Sequence, residues 1–181
     1  MIRMDLRSVL IEIHAALQHS HIDHALIGGL ALAAHGAARA TVDLDLLAPG
    51  DRAEDVHRIA HEHGYDCLHR SVHAANYASE DPARGRVDFL FANLPHGLAM
   101  LERASERQIL GRSIRVVDAA DLIGLKVQAS SNDARRRHRD LADIERLLDV
   151  ADVDLSRARE YFRIFDREKE LDALLAARGR A

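Results

Sequence analysis

Apolar side chains recur at helical spacing through Leu6, Val9, Leu10, Ile13 and Leu17, which predicts a first helix ending near His19-Ser20-His21. Asp5 and Glu12 interrupt Met1 to Ser20, so this segment reads as an amphipathic helix and not as a signal peptide. The run Ala25-Leu26-Ile27 then meets Gly28-Gly29, a strand entering a tight turn, and Leu30 to His35 follows as a brief helix closed by Gly36. From Thr41 to Ala48 the pattern alternates. Val42, Leu44 and Leu46 fall on one face, Thr41, Asp43 and Asp45 on the other, with the period of two expected of a strand. Pro49-Gly50 ends it, and helical spacing resumes from Asp51 to His63 through Val56, Ile59 and Ala60.

Tyr65 to Leu68, Ala74 to Ala78 and Arg86 to Phe91 are the next strand candidates, with turn signals at Asp81-Pro82 and Arg84-Gly85. Ser113 to Val117 predicts a further strand, and helices follow at Ala119 to Ala129, Asp133 to Leu148, Leu155 to Phe165 and Asp166 to Arg178. A mixed front half with an all-helical tail predicts an α/β (α+β) fold: a short mixed, twisted sheet flanked by helices. The expected division is a core over 1–118 and a helical region over 119–181, packed on it as one compact unit.

Composition narrows the classes. The 181 residues are 48% apolar and 30% charged, as in an ordinary globular domain with a real core. Aromatics make up only 4% and Trp is absent, so Leu, Ile, Val and Ala must build that core. With 25 basic and 29 acidic residues the net charge is −4, which excludes a wholly basic nucleic-acid-binding surface but leaves room for a local patch. Cys67 is the single cysteine, which excludes an internal disulfide framework and a Cys-rich zinc site and fits a reducing, cytoplasmic location. No stretch approaches the roughly 18 apolar residues of a membrane span.

The carboxylates carry the chemistry. Residues two apart on a strand point the same way, so Asp43 and Asp45 hold two anions about 6–7 Å apart. A divalent cation relieves their repulsion, and an all-oxygen donor set favours Mg²⁺ or Mn²⁺ over zinc. The bland alternative is the polar face of a half-exposed strand, although Asp is disfavoured in strands. Asp88 lies on another strand, away from the Val87, Phe89, Phe91 face; if the two strands are neighbours, three aspartates converge as in a two-metal phosphoryl-transfer centre. Gly28-Gly29 would let the backbone approach a phosphate at a helix start, or it is an ordinary turn.

Together these residues resemble a family. Leu26-Ile27-Gly28-Gly29, then Arg39, Thr41 and Asp43-Leu44-Asp45-Leu46, then Val87-Asp88-Phe89-Leu90, look like the nucleotidyltransferase signature of the DNA polymerase β-like superfamily. The Arg-X-Thr-X-Asp-hydrophobic-Asp variant is similar to AbiEii-type abortive-infection toxins and minimal bacterial nucleotidyltransferases. The resemblance extends through Asp121 to Lys126 and Arg139 to Ile144, with Leu147-Leu148, and so covers residues 20 to 150. It implies a nucleotidyltransferase fold, with Asp43 and Asp45 holding metal ions. Asp88 would ligate one of them and help to deprotonate an attacking hydroxyl. A nucleoside triphosphate would be attacked at its α-phosphorus, yielding a nucleotidylated acceptor and pyrophosphate. Many superfamily members carry a serine at the second glycine; Gly29 lacks that hydroxyl.

Other residues supplement this set. Lys126 is one of only two lysines, with Lys169, in a chain that otherwise uses Arg; its compact ammonium is a candidate for the triphosphate and for catalysis. Asp140 and Asp143 are candidates for orienting neighbouring bases, Arg39 and Thr41 for the nucleotide. Arg135 to Arg139 is the one concentrated basic run, with Arg139 its foremost nucleotide-binding candidate; it could grip a triphosphate or RNA, or be a solvated face. Despite 12 histidines, the His57, His61, His63 spacing reads as a wet helix face. The leading expectation is therefore a metal-dependent nucleotidyltransferase acting on RNA, such as tRNA, or on a protein. It would serve as the toxin of a toxin–antitoxin or abortive-infection pair with a cognate antitoxin. Transfer to a small, aminoglycoside-like molecule and a non-catalytic nucleotide-binding regulator are the alternatives.

Overall fold

The computed structural model describes residues 4–179, so Met1, Ile2 and Arg3 of the predicted first helix lie outside the described residues. The chain divides into two compact units, one of Met1–Ala34 with Arg39–Val117 and one of His35–Ala38 with Asp118–Ala181. The short stretch His35–Ala38 groups with the second unit.

In the first unit, α1 (Leu6–His19) starts where the Asp5 carboxylate accepts from the Ser8 backbone N–H at 3.1 Å, and it buries Val9, Leu10, Ile13 and Leu17. The elements β1 (Ala25–Leu26), α2 (Gly28–Ala34), β2 (Asp43–Pro49), α3 (Ala53–Glu62), β3 (Asp66–Arg70), β4 (Ala74–Ala78), β5 (Arg86–Ala92), α4 (Pro95–Arg103), β6 (Ser105–Ile109) and β7 (Arg112–Val116) follow. The strands form one seven-stranded sheet in the order β3-β4-β5-β2-β1-β7-β6. At its centre β2 and β5 run parallel over seven registered pairs, whereas β1–β2, β3–β4, β4–β5 and β6–β7 are antiparallel. The mixed α/β fold expected from the sequence is the one observed.

Alternation decides which face of the sheet is dry. Leu44, Leu46, Ala75, Tyr77, Val87 and Phe89 are buried on one face, where His57 of α3 comes within 3.4 Å of the Tyr77 hydroxyl. The opposite face of β2, β4 and β5 carries Asp43, Asp45, Asn76, Arg86 and Asp88, none of them buried. Two elements escaped the sequence reading. β6, Ser-Glu-Arg-Gln-Ile, is an edge strand that buries only Ile109, and α4 buries only Met100 and Leu101, so neither has the apolar periodicity that announces an element. β2 starts at Asp43, two residues later than predicted, which leaves Thr41 in the approach to the strand.

Glu12 fastens α1 to the rest of this unit. Its Oε1 accepts from His63 Nδ1 at 2.7 Å and from Arg84 Nη2 at 2.9 Å, and the same Arg84 nitrogen donates to the His63 carbonyl. Arg84 also lies 5.2 Å over the Tyr65 ring. Burial alone would push the Glu12 carboxyl up, but the hydrogen bonds from Arg84 and His63 outweigh it and hold the group below its ordinary 4.5.

The second unit is helical: α5 (Ala119–Asn132), α6 (Arg137–Val150), α7 (Leu155–Ile164) and α8 (Glu168–Ala176). Gly124 makes room for α7 on α5, because a Cβ there would stand 2.6 Å from the Tyr161 ring. The Tyr161 hydroxyl in turn donates to the fully buried Asp121 carboxylate at 2.7 Å. No helix among the described residues is long and apolar enough to cross a membrane.

A carboxyl whose folded pKa is depressed stabilises the fold above its unfolded pKa, and that contribution is lost as pH falls through the folded value. Glu12→Gln should therefore lower the urea midpoint at pH 7, and its deficit against the wild type should shrink as pH drops below 4.5. Urea denaturation across that range checks this.

Candidate active site

The parallel pairing of β2 with β5 sets Asp45 directly opposite Asp88 and Asp43 opposite Arg86. Registered neighbours share a face, so Asp45 and Asp88 stand one strand spacing apart, about 4.8 Å, with Asp43 two residues along the same face. Sequence alone left the adjacency of the two strands conditional; the sheet order supplies it. Asp88 Oδ1 is buried without a hydrogen-bond partner among the described residues. The Arg86 guanidinium approaches it only to 3.6 Å, beyond hydrogen-bonding distance. A buried carboxylate oxygen left in this state is costly unless something else fills its lone pairs.

The glycine turn abuts this pair. Gly28 has φ +63°, a conformation natural to glycine, and a Cβ on it would lie 2.0 Å from Asp45 Oδ2. The Gly28 backbone therefore touches the Asp45 side chain, and the Ile27 N–H donates to the Asp45 carbonyl at 3.0 Å. Gly29 is crowded from another side: its Cβ would meet Thr41 Cβ and Oγ1, both at 2.5 Å. The Thr41 side chain thus occupies the space that a side chain at 29 would need, which explains why 29 is glycine. Its hydroxyl is 3.4 Å from the Asp43 carbonyl. Arg39 Nη1 donates to the Ala40 carbonyl at 3.0 Å.

Among the described residues no three His, Cys, Asp or Glu side chains are grouped closely enough to cage a metal ion. This donor set still suits magnesium, which usually takes one or two carboxylates and completes its shell with substrate phosphates and water. Asp45 and the unsatisfied Asp88 oxygen are the pair with that character. Two cavities of about 520 and 500 Å³ on this unit lie away from the aspartates, one lined by Leu30, Ala33 and Ile109, the other by Pro49, Ala92 and Leu98.

In the second unit, Lys126 is buried between two buried aspartates, its Nζ 3.1 Å from Asp140 Oδ1 and 2.8 Å from Asp143 Oδ2. Arg136 and Arg146 close the network on the other oxygens of Asp140 and Asp143, each at 3.2 Å. The sequence reading had Asp140 and Asp143 orienting nearby bases, and Lys126 and Arg136 are the bases they meet. The Lys126 ammonium is engaged by carboxylates. The basic run is largely self-neutralised as well: Arg135 pairs with Asp133, Arg136 with Asp140 and Arg137 with Glu170, while Arg139 is exposed. His57, His61 and His63 do not assemble a metal site; His63 is taken by Glu12.

Sequence reasoning passed over Asn76. It faces Asp88 across the β4–β5 ladder. Its one signal was alternation with Tyr77 in a short, Ala-rich strand.

The chain belongs to a family of nucleotidyl transferases of unknown function, DUF2204, whose model matches residues 6–175. Solved nucleotidyltransferases share the fold. ANT(2'')-Ia in complex with adenylyl-2''-tobramycin is 14% identical with TM-score 0.65, the match covering 88% of this chain and 96% of that one. The lincosamide antibiotic adenylyltransferase LnuA, lincomycin-bound, is 16% identical with TM-score 0.59 over 82% and 99% of the two chains. A putative nucleotidyltransferase from Thermotoga maritima is 15% identical with TM-score 0.57 over 78% and 94%. No curated protein matches the chain.

Two stability measurements check this geometry. Gly29→Ala should cost about 1–3 kcal/mol by overpacking against Thr41, and the double variant Gly29→Ala/Thr41→Gly should be more stable than Gly29→Ala alone. Lys126→Ala should cost about 3–5 kcal/mol, because it leaves the buried Asp140 and Asp143 with only the exposed Arg136 and Arg146 to offset their charge. Urea denaturation of each variant at pH 7 reads both.

Proposed function

We propose that this nucleotidyltransferase moves a nucleoside monophosphate from a nucleoside triphosphate onto an acceptor hydroxyl in a Mg²⁺- or Mn²⁺-dependent reaction. The observation that carries the reading is the registered Asp45–Asp88 pair, with the Gly28 backbone in contact with Asp45. Gly28 and Gly29 let the triphosphate approach the main chain closely, flanked by Thr41 and Arg39. Asp45 and Asp88 would hold a divalent ion, with Asp43 two residues along the same face to join them. The ion, when bound, neutralises phosphate charge and polarises the α-phosphate. The acceptor oxygen forms a bond to the α-phosphorus while its proton passes to Asp88. The bond between the α-phosphorus and the bridging oxygen breaks, and pyrophosphate leaves with the electron pair. In this reading Lys126 ties α5 to α6 through Asp140 and Asp143.

The acceptor is best read as a small hydroxylated molecule. A polyanion such as RNA needs unpaired cations along its backbone, and three of the four arginines in the basic run are spent on acids. The antibiotic adenylyltransferases among the structural neighbours favour the same choice. The resemblance to AbiEii-type toxins is what supports a protein or RNA acceptor and a cognate antitoxin.

Purified chain with Mg²⁺ and each of the four α-labelled triphosphates should bind at least one of them and label a small acceptor more readily than total RNA. Asp43→Asn should abolish labelling. Asp88→Asn should lower kcat by about 10²–10⁴ while retaining nucleotide binding, the loss expected of a missing general base. Wild type that binds nucleotide but transfers to nothing would make the protein a nucleotide-binding regulator.

A further inference from the structure

The acceptor has a side from which it must come, and the sheet order fixes it. Resting on the nucleotidyltransferase reading above, the in-line geometry of phosphoryl transfer sets the attacking oxygen and the departing pyrophosphate on opposite sides of the α-phosphorus. The glycine turn lies on the β1–β2 side of the aspartates, against Asp45. Asp88, with its unsatisfied oxygen, lies one strand further, and beyond it come β4 and then β3. The acceptor hydroxyl therefore reaches Asp88 from over β4 and β3.

What it meets there is a row of polar side chains in register. Asp45 pairs with Asp88, Asp88 with Asn76 and Asn76 with His69, so the four stand in line across β2, β5, β4 and β3 on one face. The parallel row runs Asp43, Arg86, Ala78, Asp66. From Asp88 to His69 is two strand spacings, about 10 Å, the length of one or two sugar-sized rings. Ala74 and Ala78 flank Asn76 on the same face, so the floor beside the amide is low. Asn76 is half-buried, and His69 and Asp66 are exposed. Among the described residues their side chains enter no hydrogen bond or ion pair. The opposite face of β4 is shut, with Ala75 and Tyr77 at 0% and 1% exposure.

Charge selects the occupant. Among the described strand residues of this face, Asp66 and Asp88 stand against one guanidinium, Arg86, which already leans toward Asp88. A phosphate backbone would find no cation on the shelf itself, whereas a hydroxylated amine finds the Asp66 carboxylate for an ammonium group and an amide and an imidazole for its hydroxyls. We infer that the β3–β4 shelf of Asp66, His69 and Asn76 is the acceptor subsite and that it takes a small aminated polyol, with Asn76 positioning the reacting hydroxyl toward Asp88.

Tobramycin is the probe, with the full chain, Mg²⁺ and the four α-labelled triphosphates; nucleotide binding is measured separately by calorimetry. Asn76→Ala should raise KM for tobramycin at least tenfold, and His69→Ala and Asp66→Ala severalfold, while nucleotide Kd stays within twofold. Arg70→Ala, on the opposite face of β3, should change neither. Unchanged tobramycin KM in all three shelf variants would overturn the subsite. Nucleotide binding without transfer to tobramycin, or preferential labelling of total RNA, would overturn the acceptor class and leave the nucleotidyltransferase reading standing. Failure of the wild type to bind any triphosphate would remove that reading itself.

Discussion

The parallel ladder between β2 and β5 is the constraint on which the rest of this molecule depends. A strand pair can be shifted only in whole residues, and a one-residue slip would send Asp45 and Asp88 to different faces. Register here is held by the buried side, where Leu44, Leu46, Val87 and Phe89 are almost completely enclosed. The hydrophobic core thus does two things at once: it stabilises the sheet, and it compels acidic side chains that gain nothing from burial to stand together.

The glycines belong to the same constraint. Gly28 has no Cβ because Asp45 fills that space, and Gly29 has none because Thr41 does. Each glycine is matched to a side chain on the polypeptide that leads into or forms β2, so the turn and the strand form one interlocked object. Gly29 brings no hydroxyl to the turn, and the Thr41 hydroxyl lies 2.5 Å from where a Cβ at position 29 would stand.

Much of this was legible from the amino-acid order. The alternation of Leu44 and Leu46 with Asp43 and Asp45, and of Val87 and Phe89 with Asp88, announces both strands and their polar faces, because burial on one side imposes a period of two. The pairing of Lys126 with Asp140 and Asp143 was less visible: helical spacing puts the two aspartates near a buried stripe, but only coordinates show the ammonium between them. α4 and β6 were illegible because they bury too few side chains to leave a pattern. The partners of the basic run were hidden for a related reason. The run's charge density is plain in the sequence, but its acidic partners, such as Glu170 for Arg137, come from distant positions.

The central proposal is that the Asp45–Asp88 pair, with Asp43 beside it, binds a divalent ion together with a nucleotide next to the glycine turn. Manganese is a spectroscopically visible substitute for magnesium, so the most direct measurement is an electron paramagnetic resonance titration of Mn²⁺ in the presence of each triphosphate. The account predicts that at least one triphosphate gives saturable, nucleotide-dependent Mn²⁺ binding to the wild type, and that it is lost in Asp45→Asn and strongly weakened in Asp43→Asn and Asp88→Asn. Equal binding by the wild type and a variant with all three aspartates replaced by asparagine would contradict it.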